Sequence, residues 1–155
     1  MSVFLQVKRI LLDRERKTVD ENYIVTASDL DNAEHAILVH LQRTCFPDEV
    51  KDLSSDVASK VKVSSSLASL DPFMDNGVLR VGGRLRSANL SDAAECPIIL
   101  PKSQHVTDLI IRSVHARLGH AGRNHVLSVL GERYWIVHGN ANVRRVINQC
   151  ILCLR

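Results

Sequence analysis

Four residues in the last third of the chain have the types and spacing of a metal site: His115 and His120, then a 29-residue interval, then Cys150 and Cys153. Two imidazoles and two thiolates are the tetrahedral donor set that structural zinc prefers. On an uninterrupted helix, residues five apart diverge by about 140°, too far to share an ion. The helix must therefore break between the histidines, and Gly119 is where a break is easy, because glycine accepts the left-handed conformation that ends helices. Cys150 falls one turn beyond Val146 on the apolar face of a further helix, and Cys153, three residues on, is its neighbour on that side. A redox role for the Cys-x-x-Cys pair is disfavoured. Such a pair needs the start of a helix, where the dipole lowers the thiol pKa, whereas this one is expected at a helix end.

With four protein ligands no coordination position is left for water, so the expected Zn2+ has a structural role and not a catalytic one. Three short helices bury little apolar area, and structural zinc supplies on the order of 10–16 kcal/mol of apparent binding free energy to the folded form alone. The remaining histidines compete poorly for the ion. His125 also lies five residues from His120 but would demand a second well-placed break, His105 and His138 read as solvated, and His35 and His40 are far upstream. Cys45 and Cys96 have no partner nearby in sequence and read as buried thiols. No carboxylate cluster, Ser-His pair or phosphate-cradling loop appears. Gly82-Gly83 lacks the following helix that such a loop requires, so the chain is not expected to be an enzyme.

The elements that must position these residues follow from periodicity. Val106, Leu109, Ile110, Val114 and Leu118 mark one helix ending at Gly119. A second is expected from about Asn124, through Val126, Leu127 and Leu130, to Tyr134. A third, capped by Asn140 or Asn142, carries Val143, Val146, Ile147 and Cys150 on one face. Upstream, Leu79, Val81 and Leu85 alternate with Arg80, Arg84 and Arg86, the period of a half-buried strand, and Ile98 to Leu100 between two prolines is a partner for an antiparallel ribbon. Further back, Ser28 with Asp31 opens a helix with Leu30, Ala33, Ile37 and Leu41 at helical spacing up to Cys45, and Pro47-Asp48-Glu49 has the residue types of a helix first turn. Ser2 to Leu12 reads as a short amphipathic helix and Asp13 to Glu21 as a connector.

The fold class expected is α+β, mostly α: an N-terminal helical segment over 1–53, a Ser-rich linker over 54–69, a β-ribbon extension over 70–102 and a zinc-stabilised three-helix bundle over 103–155. No apolar run reaches the roughly 18 residues of a membrane span. Lys8 and Arg9 interrupt the apolar start of the chain, so a soluble, intracellular protein is expected. The net charge of +3 is unevenly spread. Residues 1–100 hold 12 Lys/Arg against 15 Asp/Glu, residues 101–155 hold 8 against 2, and a basic C-terminal part points to nucleic acid.

The run His115-x4-His120-Ala-Gly, Tyr134-Trp135-Ile136, Val143-Arg144-Arg145-Val146 and Cys150-Ile-Leu-Cys153 resembles the His-His-Cys-Cys zinc-binding N-terminal domain of retroelement integrases. Upstream, Leu70-Asp-Pro-Phe-Met-Asp75, the stretch Gly77 to Leu85 and Pro97-Ile-Ile-Leu-Pro101 look like the segment that precedes this domain in BEL/Pao-type retrotransposon polyproteins. The resemblance implies a three-helix bundle that helps integrase assemble and hold DNA, with the four named residues as zinc ligands. It also implies a separate catalytic core downstream of the last ligand. The sequence ends at Arg155, two residues after Cys153, so a fragment of a larger element or a host-retained relic is expected, without integration chemistry of its own.

Arg123, Arg144 and Arg145 are the candidate phosphate contacts, with Arg80, Arg84 and Arg86 as a second stripe. Tyr134 and Trp135 are expected to pack the bundle, which leaves binding mainly electrostatic, with weak affinity and little sequence preference. The alternative is a protein-interaction module that mediates self-association, its arginines no more than a solvated face.

Overall fold

The computed structural model describes residues 26–54, 61–82 and 96–154. The expected first helix, its connector, and Arg84, Leu85 and Arg86 of the ribbon lie outside the described residues. The chain divides into two compact units, Met1–His40 and Leu41–Arg155.

Helix α1 (Ala27–Cys45) starts one residue before the expected cap. Thr26, not Ser28, closes its N-terminus: the Asp29 N–H donates to Thr26 Oγ1 at 3.3 Å and the Thr26 N–H donates to Asp29 Oδ2 at 3.0 Å, the reciprocal pair of a capping box. Its buried stripe also differs from the expected one. Leu38, Leu41 and Gln42 are buried, whereas Leu30 and Ile37 are 63% and 51% exposed. Helix α2 (Pro47–Ser54) begins with proline at its first position and acidic residues in its first turn, as its residue types predict.

Strands β1 (Phe73–Asp75) and β2 (Val78–Arg80) form a hairpin about Asn76-Gly77, whose φ angles of +49° and +81° suit the two-residue turns that match strand twist. Strand β3 (Ile98–Leu100) pairs antiparallel with β2, as expected. The sheet does not stop there. Tyr134, expected as the last residue of a helix, instead opens strand β4 (Tyr134–Ile136), which pairs parallel with β3 over Ile98↔Tyr134, Ile99↔Trp135 and Leu100↔Ile136. Aromatic and β-branched side chains favour a pleated surface, and the fully buried β3 offers a free edge, so long-range pairing overrides continuation of the helix. The sheet order is β1-β2-β3-β4.

Between β3 and β4, helices α3 (His105–Arg117) and α4 (Arg123–Gly131) supply the long crossover that a parallel pair requires. Helix α5 (Gly139–Ile147) follows β4 and packs on both. Ile111, Val114, Val126, Leu130, Val143 and Val146 are the buried apolar residues of the three helices; in α4 and α5 they fall on the expected stripe, whereas in α3 Ile111 is buried and Leu109, expected on the stripe, is 47% exposed. A second core gathers Phe46, Leu67, Leu79, Val81 and Ile99. Leu67, within the serine-rich stretch, is fully buried there.

Two buried amides fasten these parts. Gln42 is 1% exposed. Its Nε2 donates to the carbonyls of Leu79 at 3.0 Å and Ile99 at 2.7 Å, and its Oε1 accepts the Leu79 N–H at 2.6 Å. The registered pairing of β2 with β3 is confined to Arg80↔Ile98, so this side chain supplies the hydrogen bonds that the diverging strands do not give each other. Asn142, one of the two residues expected to cap α5, is instead a buried strut. It donates to the carbonyls of Val137 at 2.9 Å and His138 at 3.3 Å and accepts the Ser103 N–H at 3.2 Å, so that the approach to α3 is tied to the corner before α5. The α5 N-cap is His138, and the α4 N-cap is Gly122 and not Asn124, in neither case with a side-chain capping bond.

Candidate metal centre

Helix α3 ends in a Schellman motif, and its two outer positions are the two histidines. The N–H of His120 donates to the carbonyl of His115 at 2.9 Å, and the N–H of Gly119 donates to the carbonyl of Ala116 at 3.0 Å. Gly119 and His120 are both left-handed, with φ of +63° and +64°. This reversal turns the chain back on itself within one residue pair. It converts a separation of five along a helix, which would point the imidazoles apart, into edge-to-face rings whose centroids are 4.8 Å apart.

The cysteines arrive from α5, although not on it. The helix stops at Ile147 and Cys150–Cys153 forms a separate turn, with the Cys153 N–H donating to the Cys150 carbonyl at 3.1 Å. The expectation that both thiols extend the apolar face of the third helix is therefore replaced. A turn can aim two sulfurs at one point without requiring continuous helical geometry.

The four donor atoms converge to within 4.8 Å of one another. His115 Nε2 lies 3.3 Å from His120 Nδ1 and 3.2 Å from Cys153 Sγ, and Cys150 Sγ lies 3.3 Å from His120 Nδ1. With bonds of about 2.0 Å to nitrogen and about 2.3 Å to sulfur, a tetrahedral zinc site has edges of roughly 3.3 Å between nitrogens and roughly 3.6 Å between nitrogen and sulfur. The donor set fits zinc. His115 is itself buried, and its other ring nitrogen, Nδ1, lies 3.1 Å from the Ala121 carbonyl. Donation to that carbonyl fixes the tautomer with a lone pair on Nε2, facing the ion position, the supporting contact that metal-binding histidines generally have.

The thiols are unequal. The backbone N–H of Cys153, and after it that of Leu152, holds the Cys150 thiol below its ordinary value against the opposing effect of burial. Burial raises the Cys153 thiol, and its contact with Cys150 adds to the rise. His105, His125 and His138 are exposed and stand outside the cluster. Cys96 is buried as expected, whereas Cys45 is half-buried at the edge of the second core, where burial raises its thiol pKa.

The candidate phosphate contacts are not equivalent. Arg123 and Arg144 are exposed and line one groove between the start of α4 and the side of α5, together with His125 and Asn148. Arg145 lies beside them, but Nη1 and Nη2 donate to the two carboxylate oxygens of Asp108 at 3.0 and 2.5 Å, which fastens α5 to α3. Arg80 is similarly engaged: its Nε lies 2.9 Å from Asp75 Oδ2 and its Nη1 donates to the Cys96 carbonyl at 2.9 Å. Tyr134 is buried, with the Arg133 guanidinium 5.3 Å from its ring centroid, but Trp135 is not buried as expected. It is 46% exposed. The alternation of β4 turns it away from its two neighbours, a signal present in the sequence once the segment is read with a period of two.

Residues 102–155 match the family described as the integrase zinc binding domain, and all four cluster residues lie inside that span. No curated protein and no solved structure matches the chain.

Proposed function

Taking as premise that residues 102–155 are an integrase zinc-binding domain, we propose that the chain is the non-catalytic DNA-holding module of a retrotransposon-type integrase and grips the duplex through its phosphates. The observation that carries this reading is the groove between α4 and α5, where Arg123 and Arg144 stand on opposite walls. Among the described residues neither has an ion-pair partner. The first turn of α4 opens into the same groove, and its N-cap, Gly122, leaves the leading amides without a side-chain acceptor, so the helix dipole adds to the attraction for an anion. Zinc, when bound, supplies the cross-link that holds the end of α3 against the segment after α5. His115, His120, Cys150 and Cys153 thereby fix the relative placement of the groove walls without taking part in any reaction.

Affinity of this kind falls steeply with salt, because each neutralised phosphate releases counterions. Zinc-loaded protein titrated onto labelled duplex DNA at several salt concentrations should give a linear log–log plot. Arg123→Ala and Arg144→Ala should each reduce its slope by roughly one, and Arg145→Ala by less. Binding that does not change with salt would overturn the reading.

One observation favours a second reading, that of a self-association module: Ile151, Leu152 and Leu154 all project from the cysteine turn into solvent. It requires a solution mass that rises with protein concentration, with the duplex titration showing no binding.

A further inference from the structure

Next to the basic groove lies a cavity of a different character. Its volume is about 250 Å³, it is open to solvent, and Leu127, Leu130, Trp135, Ile136 and Asn140 are among the residues that line it. Asn140 also lines the groove that holds Arg123 and Arg144, so the two depressions adjoin at one side chain.

We infer that this cavity takes an unpaired base of a nucleic acid strand whose backbone lies in the basic groove, with Trp135 as the stacking platform. This deepens the proposed function and rests on it. The charge beside the cavity selects the occupant. A lipid or an apolar peptide segment would fit the apolar walls but would gain nothing from Arg123 and Arg144 at the shared edge, whereas a nucleotide presents a π-face and a phosphate side by side. Trp135 has the rigid, half-exposed indole that stacking requires, in a strand whose backbone is paired to β3, so little side-chain order has to be gained on binding. Asn140 lines both depressions, and its amide carries both a donor and an acceptor for the edge of a base. A base within a duplex cannot enter, because its faces are already stacked. The site therefore distinguishes a frayed end or a single strand from continuous duplex.

Trp135 is the sole tryptophan, so its fluorescence reports on the site directly. The full zinc-loaded chain is titrated with single-stranded oligothymidylate and, separately, with blunt duplex DNA. Quenching of Trp135 by the single strand and not by the duplex is expected. Trp135→Ala should weaken single-strand binding, followed by anisotropy of a labelled oligonucleotide, on the order of tenfold, leave duplex affinity and its salt slope unchanged, and retain zinc. Trp135→Phe, which keeps an aromatic face, should recover most of the loss and guards against a folding defect in the alanine variant. Equal affinity of Trp135→Ala and the parent chain for the single strand, or equal quenching by duplex, would overturn the inference while leaving phosphate binding intact. Absence of binding to either form would remove both readings.

Discussion

The backbone N–H of His120 donates to the carbonyl of His115 at 2.9 Å, and the side chains of the same two residues bring Nδ1 and Nε2 to 3.3 Å. The hydrogen bond that closes a helix thus also sets one edge of the metal tetrahedron. In a Schellman motif these two positions commonly meet through an apolar contact, and here two imidazoles placed to share a metal ion take its place. His120 carries a left-handed φ at some steric cost, which the metal bond can offset.

Removing zinc should therefore release more than two loops. A strong chelator is expected to abolish the cooperative unfolding transition of the C-terminal bundle and lower helical circular dichroism, and His120→Ala or Cys150→Ser should do the same with loss of bound metal. Retention of an unchanged melt after metal removal would count against a structural role.

Zinc affinity should weaken as pH falls. Both sulfurs bind as thiolates, and each thiol that is still protonated must lose its proton, a factor of about ten in affinity per pH unit and per proton. Cys153, raised from an already alkaline value, is protonated at neutral pH and imposes this dependence. Cys150, lowered by the Cys153 N–H, sheds its proton earlier on the alkaline titration. Competition with a chromophoric chelator between pH 8 and pH 6 should give at least a roughly tenfold loss per unit, and a flat profile would remove the thiolates from the site.

Substitution of two glycines by alanine should separate conformation from contact. Gly119 has φ of +63° but nothing within 4 Å of a added Cβ, so Gly119→Ala is expected to cost only the left-handed strain, about 1 kcal/mol, with zinc retained. At Gly82 a Cβ would lie 2.2 Å from the Asp71 carbonyl oxygen, and Gly82→Ala must push backbone apart at a cost of roughly 1–3 kcal/mol. Denaturant titration of the two variants checks the order, and a larger loss at Gly119 would reverse this account.

Gln42→Leu should destabilise the chain by roughly 2–4 kcal/mol, since it strips partners from the Leu79 N–H, the Leu79 carbonyl and the Ile99 carbonyl at a buried site. The denaturation midpoint should drop with zinc content unchanged. A neutral effect would mean that these strand groups find other partners.

By themselves the residues of this chain determine the ligands, the helix stop between the histidines and the apolar stripes of α4 and α5, because each depends on side-chain chemistry or on a period short enough to read locally. His115 and His120 need Gly119 between them, and Cys150 and Cys153 need only a turn, so the metal site is legible without coordinates. Tertiary structure decided what depends on partners distant in the chain. Tyr134–Ile136 is a strand because Ile98–Leu100 offers an edge, and Trp135 faces solvent because that strand alternates. Arg145 lines the basic groove with its charge already paired because Asp108, on another helix, lies within reach of its guanidinium. Gln42 and Asn142 become struts because backbone groups from other segments converge on them. Such pairings are set by which surfaces meet when the apolar faces are buried, and no local spacing encodes them.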